Sequence, residues 1–197
     1  MDELILFFKH HQGYAQMKDL KAFGFHTRKI AKALSEGLIE KIKPGLYKLV
    51  DYPWTEYSGL VDVCRAKESA VICLSSALEY YGLTTFSPPE ITVAVPHHTD
   101  KFTLEYPPIR VFYFPKAFYQ PGIETVETPH GIIKLYNMEK TICDMLRYRK
   151  KLGEDLALEG LKNYLKRQAI RLHKLREYAK ICQVKTIMTP YLKALVG

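Results

Sequence analysis

Arg28, Lys29 and Lys32, followed by Lys41 and Lys43, are the residues whose type and spacing point most directly to a chemistry. On a helix the first three gather on one side, opposite Ile30, Ala31 and Leu34. A helix of that kind fits a DNA major groove, where positive side chains neutralise phosphates and release counterions. Arg28 has the fork geometry to read a guanine edge bidentately, whereas the lysines are suited to holding phosphate. His26 and Thr27 stand just ahead of these cations. Thr27 is expected to cap the helix with its hydroxyl, and His26 is a candidate base or phosphate contact. The candidate DNA-binding set is therefore His26, Thr27, Arg28, Lys29, Lys32, Lys41 and Lys43.

Other groups of reactive type are weaker. His97-His98 with Asp100 invites a metal reading, but neighbouring histidines after a strand point apart and no second pair has ligand spacing. A carboxylate-x-lysine pattern of the nuclease kind occurs once, at Asp19-Leu20-Lys21, inside a helical stretch where surface charge explains it. Asp62, Glu79, Glu139 and Asp144 lack a partner motif. Ser75 and Ser76 have no general base at activating spacing and read as small packing residues. Neither a glycine-rich phosphate loop nor a His-Glu-x-x-His pattern occurs. The sequence points to no enzyme, no cofactor and no metal. The four cysteines, Cys64, Cys73, Cys143 and Cys182, have no close pair and read as reduced, buried thiols.

The elements that must position the cations read as follows. Residues 3–11 form a short apolar helix ended by Gly13, and Gln16 to Phe23 form a second. Gly24 gives a tight turn, and the basic helix runs to Gly37, which suits a left-handed C-terminal turn. Leu38–Lys43 and Leu46–Leu49 then flank Pro44-Gly45 as a basic β-hairpin. Helix, helix, turn, basic helix and basic hairpin is the order of a winged helix-turn-helix. A domain boundary is expected at Asp51-Tyr52-Pro53. Beyond it, Glu56–Ala66 and Ala70–Tyr81 read as helices. Strands are expected over Glu90–Val95 and Arg110–Phe114, with a hairpin of Glu124–Thr128 and Gly131–Tyr136, in a largely antiparallel sheet. Asn137 is expected to cap a helix with Glu139 in its first turn. Further helices cover Glu154–Gln168 and about 172–181, and Pro190 is expected to interrupt or kink the last segment. The fold class is α+β: a winged helix-turn-helix over 1–52, then a mixed α/β domain over 53–197 with strands at about 90–136 and a helical end over 138–197.

Charge supports the same organisation. The chain of 197 residues carries +8. Residues 1–52 hold nine basic and six acidic side chains, residues 53–144 hold seven and eleven, and residues 145–197 hold thirteen and four. Two basic ends around an acidic middle suggest a polyanion meeting the ends, with a solvated helical face as the other reading of the C-terminal charge. No apolar run approaches the roughly 20 residues needed to span a bilayer. Met1-Asp2-Glu3 is acidic where a secretory leader is basic, so a cytoplasmic protein is expected.

The sequence resembles the AbiEi-type antitoxins of abortive-infection (type IV) toxin–antitoxin systems. The resemblance runs through Gly13 to Leu49, including Gly24, Gly37 and Pro44-Gly45-Leu46-Tyr47. It continues in Leu74-Ser75-Ser76-Ala77-Leu78, Gly82-Leu83, Pro89-Glu90-Ile91-Thr92-Val93 and Met138 to Leu146. Lys140 stands where the family often has Arg, and Ile142 where it often has Leu. The resemblance implies a bacterial repressor that binds double-stranded operator DNA in its own promoter. It also implies a second domain that counters a nucleotidyltransferase-like toxin without a stable complex. Two alternatives stay open: a nuclease or nucleotide-modifying enzyme carrying a winged helix, and a protein-interaction scaffold.

Overall fold

The structure is a computed structural model that describes residues 2–53 and 55–196. Met1, Trp54 and Gly197, which fall inside the expected domain ranges, lie outside the described residues. The architecture is α+β, and the chain divides into two units. The first comprises Met1–Glu68, Thr103–Pro107 and Glu127–Ile133; the second comprises Ser69–Phe102, Pro108–Val126 and Lys134–Gly197.

The first unit runs α1 (Asp2–His10), β1 (Tyr14–Gln16), α2 (Met17–Ala22), α3 (Thr27–Ser35), β2 (Ile39–Lys43), β3 (Leu46–Leu49) and α4 (Ser58–Ala66). Strands β1, β3 and β2 form an antiparallel three-stranded sheet with β3 in the middle. The Pro44-Gly45 hairpin is present. It carries a bulge between Lys41 and Lys43, which leaves both Ile39 and Ile42 buried at a spacing that plain alternation forbids. Leu4, Phe8, Leu20, Phe25, Ile30 and Ala33 pack with Ile39 and Leu49 as the core of this unit.

Two turns hold the helices at their angle, and both are Schellman caps. After α2, Gly24 N–H donates to Lys21 O and Phe25 N–H to Leu20 O, each at 3.0 Å. After α3, Gly37 N–H donates to Leu34 O at 3.1 Å and Leu38 N–H to Ala33 O at 3.0 Å. Gly24 and Gly37 have φ of +103° and +68°, which glycine adopts without a Cβ penalty.

Several details differ from expectation. Thr27 is the first residue of α3 rather than its cap; His26 occupies the cap position, in extended backbone and with no side-chain cap bond. Ala31 is exposed and Ala33 buried, because the inner stripe of α3 runs through 30, 33 and 34. The second helix begins only at Met17, since Tyr14–Gln16 pairs with β3. A three-residue strand is too short to show a period of its own.

The second unit holds β4 (Val71–Ile72), α5 (Leu74–Tyr80), β5 (Ile91–Pro96), β6 (Ile109–Phe114) and α6 (Lys116–Tyr119). Next in the chain come strands β7 (Ile123–Thr128) and β8 (Gly131–Tyr136), of which Glu127–Ile133 counts with the first unit, then helices α7 (Met138–Leu152), α8 (Glu154–Leu165), α9 (Leu172–Ile181) and α10 (Lys185–Val196). The sheet order is β6-β5-β4-β8-β7. It is mixed rather than largely antiparallel: β5 runs parallel to β6 and β4 parallel to β8, while β4 and β5 are antiparallel. The expected single helix over Ala70–Tyr81 is a strand followed by a helix, because Val71 and Ile72 fill the middle of the sheet. Asn137 does cap α7, its side chain accepting from Lys140 N–H at 2.9 Å. Pro190 lies inside α10 without ending it.

Ser75 and Ser76 do more than pack. Ser76 Oγ accepts from Thr92 N–H at 2.9 Å, and Thr92 Oγ1 accepts from Ser76 N–H at 3.0 Å while donating to Cys73 O at 2.6 Å. The start of α5 is thereby stapled to β5. The four cysteines are in the thiol form and form no disulfide, with Cys73, Cys143 and Cys182 buried and Cys64 half-buried.

Candidate nucleic-acid interface

Residues 27, 30, 31, 33, 34 and 35 show how α3 divides. Ile30 and Ala33 are buried and Leu34 half-buried, which turns Thr27, Arg28, Ala31, Lys32 and Ser35 to solvent as one continuous face. Thr27, Ala31 and Ser35 repeat every four residues and so form a row of short side chains along the helix. Arg28 and Lys32 form the neighbouring row. A low ridge beside two long cations lets a helix axis approach closely whatever lies in front of it. The backbone of His26 opens the helix without occupying the first-turn amides with a side chain, and its imidazole is exposed.

Lys29 belongs elsewhere. It is half-buried, ion-pairs with Glu3 of α1 at 3.6 Å and lies over the Phe25 ring at 4.8 Å from the centroid. Its charge helps seat α3 against α1. Lys32 pairs with Glu36 at 3.6 Å, both side chains being exposed, so that pair is worth little and opens readily. In the wing, Lys41 is exposed and Lys43 half-buried. The structure thus brings His26, Thr27, Arg28 and Lys32 onto one outward surface, with Lys29 at its inner edge and Lys41 and Lys43 on β2.

The sequence placed Ala31 on the apolar face and did not single out Ser35, although their spacing from Thr27 carried the signal. Lys18 and Lys21 of α2 are also exposed cations of this unit. The third lysine of the wing, Lys48, faces the other way. It is buried in β3 and donates to Asp62 Oδ2 at 2.9 Å, while Tyr14 donates to Asp62 Oδ1 at 2.6 Å. Burial lowers the Lys48 ammonium pKa, with Asp62 opposing the shift. Burial also pushes the Tyr14 hydroxyl up, and Asp62 adds to it. This network ties α4 to the sheet and leaves no charge for a ligand.

Among the described residues no three His, Cys, Asp or Glu side chains come together as a metal cluster. His97 and His98 meet edge to face on an exposed loop. Buried carboxylates occur as structural pairs: Asp144 accepts from Lys140, and Glu139 from Arg171 and Tyr164.

Residues 2–50 match the family described as transcriptional regulator, AbiEi antitoxin. The AbiEi match ends with the wing strand β3, so it spans the three helices and the three-stranded sheet that position the basic face. No curated protein matches the chain. No helix among the described residues is long and apolar enough to cross a membrane.

Proposed function

We propose that this chain is a sequence-specific DNA-binding repressor, the autoregulating antitoxin of a type IV toxin–antitoxin pair. The observation that carries the reading is the outward face of α3, where Thr27, Arg28, Ala31, Lys32 and Ser35 stand free of the core beside a β-hairpin. In this reading α3 enters the major groove of double-stranded operator DNA. Arg28 reads a guanine edge, and Thr27 and Ser35 hydrogen-bond base edges or phosphate. The Ala31 methyl meets thymine, and Lys32 holds phosphate. Lys41 and Lys43 of the wing and His26 take flanking phosphates, and Lys29 acts mainly by seating the helix. Residues 1–52 form the DNA-binding module and residues 53–197 the antitoxin part. The protein works in the cytoplasm, opposite a nucleotidyltransferase-like toxin that it does not bind stably. The AbiEi match over the module supports the regulator class.

The test is duplex binding by fluorescence anisotropy, using the region upstream of the protein's own gene against an unrelated duplex. Arg28→Ala is expected to cost about 1–3 kcal/mol and to relax the preference at one base pair. Lys32→Ala is expected to weaken all duplexes alike and to lower the log–log salt slope by about 1. Unchanged affinity in both variants, with an unchanged circular dichroism spectrum, overturns the assignment of this face.

A further inference from the structure

The last two helices of the second unit carry a surface that the DNA reading does not use. Helices α9 and α10 are joined by Cys182–Val184 and line an open groove of about 890 Å³. Each helix contributes residues at the same five positions, i, i+3, i+4, i+7 and i+8: 172, 175, 176, 179 and 180 from α9, and 185, 188, 189, 192 and 193 from α10. That register has a chemical consequence. The inner rows are apolar: Leu175, Ala179 and Met188 form a floor that is itself buried in the core, while half-buried Leu192 and exposed Leu172 present the open apolar surface.

The outer rows are cationic. Arg176 and Lys180 edge one side, and Lys185 and Lys193 flank Thr189 on the other; all four cations are exposed. No hydrogen bond or ion pair engages their side chains among the described residues. Glu177 is the one carboxylate in residues 172–196, and it does not line the groove. An apolar floor between two unpaired basic edges is matched by an apolar stripe between two acidic edges, which is the surface of an acidic amphipathic helix. A nucleic-acid backbone fits less well, because it offers nothing apolar to cover Leu172 and Leu192.

We infer that the α9–α10 groove is a docking site for an acidic amphipathic helix of a partner protein. Eight residues of helix rise span about 12 Å, so the occupant is a segment of about two to three turns. Its apolar residues at i, i+3, i+4 and i+7 lie on the floor, and its Asp or Glu side chains face Arg176 and Lys180 on one edge and Lys185 and Lys193 on the other. This inference is independent of DNA binding by α3.

The probe is a fluorophore-labelled, helix-stapled peptide of three turns with Leu at i, i+3, i+4 and i+7 and Glu on both flanks, titrated into the full chain. It is expected to bind and to shift backbone amide resonances within residues 172–193, and a scrambled peptide of equal composition is expected not to. Lys180→Glu with Lys193→Glu is expected to weaken binding by about tenfold or more. Lys162→Glu with Lys166→Glu, the same charge change on exposed positions of α8 and its C-cap, is expected to leave it unchanged. The inference is overturned if the peptide fails to bind at about 1 mM, if the scrambled peptide binds equally well, or if both double variants behave alike. Displacement of the peptide from residues 172–193 by a short duplex overturns it as well, by assigning the face to nucleic acid.

Discussion

Lys41, Lys43 and Lys48 are three lysines of one hairpin with different fates. Lys41 is exposed, Lys43 half-covered, and Lys48 is sealed under the sheet against Asp62. Nothing local separates them. The difference arises because β3 lies between β1 and β2, and because a carboxylate arrives from α4, fourteen residues along the chain. A buried pair contributes less net stability than its short contact suggests, but removing one member leaves the other charge without compensation. Asp62→Ala is therefore expected to cost about 3–5 kcal/mol, read as a fall in the urea midpoint of the first unit. Replacing Lys48 by Met and Asp62 by Leu together is expected to recover most of that loss. If the double replacement is as damaging as the single one, packing around α4 and not the charge is what Asp62 supplies.

At the scale of elements, patterns with local causes were legible and those with distant causes were not. Asn137 was readable as a cap because it precedes a helix and its acceptor reaches an amide three residues on. Gly24 and Gly37 were readable because a left-handed turn after a helix selects glycine. The strand at Val71–Ile72 was not, since its two residues continue the apolar run of α5 and only their neighbours in the sheet make them extended. Thr27 was misplaced by one position, which moved the expected cap while leaving the outward row of α3 intact. Ala31 and Ser35 became part of the candidate site only once Ala33 was seen to be the buried alanine. The turn after α3 gives a clean test. A Cβ added at Gly37 meets no atom within 4 Å, so Gly37→Ala carries only the left-handed backbone penalty, about 1–2 kcal/mol. Gly37→Asn is expected to cost less, because asparagine tolerates that conformation. Comparing urea midpoints of the two variants checks the ranking.

Across the molecule, acid sensitivity follows from Glu139. Its position early in α7 suggested an ordinary partner for the helix dipole, yet it is fully buried and holds Arg171 in two hydrogen bonds at 2.8 and 2.7 Å. Burial raises its carboxyl pKa, but the bonds from Arg171 and Tyr164 more than offset that, leaving it below the usual 4.5. A carboxyl lowered in the folded state binds fewer protons there than in the unfolded chain. Its stabilisation is therefore complete above about pH 4.5 and is lost as pH falls through the lowered value. The urea midpoint of the wild type is expected to fall below that pH, and Glu139→Gln is expected to start lower at neutral pH and to show a shallower fall. The two-residue strand β4 has a different kind of consequence. Its parallel pairing with β8 joins Ile72 to Leu135, so during synthesis β4, β5 and β6 emerge well before the strand that closes their open side. That waiting edge of β4 is only two residues long, too short to template a foreign strand from that side.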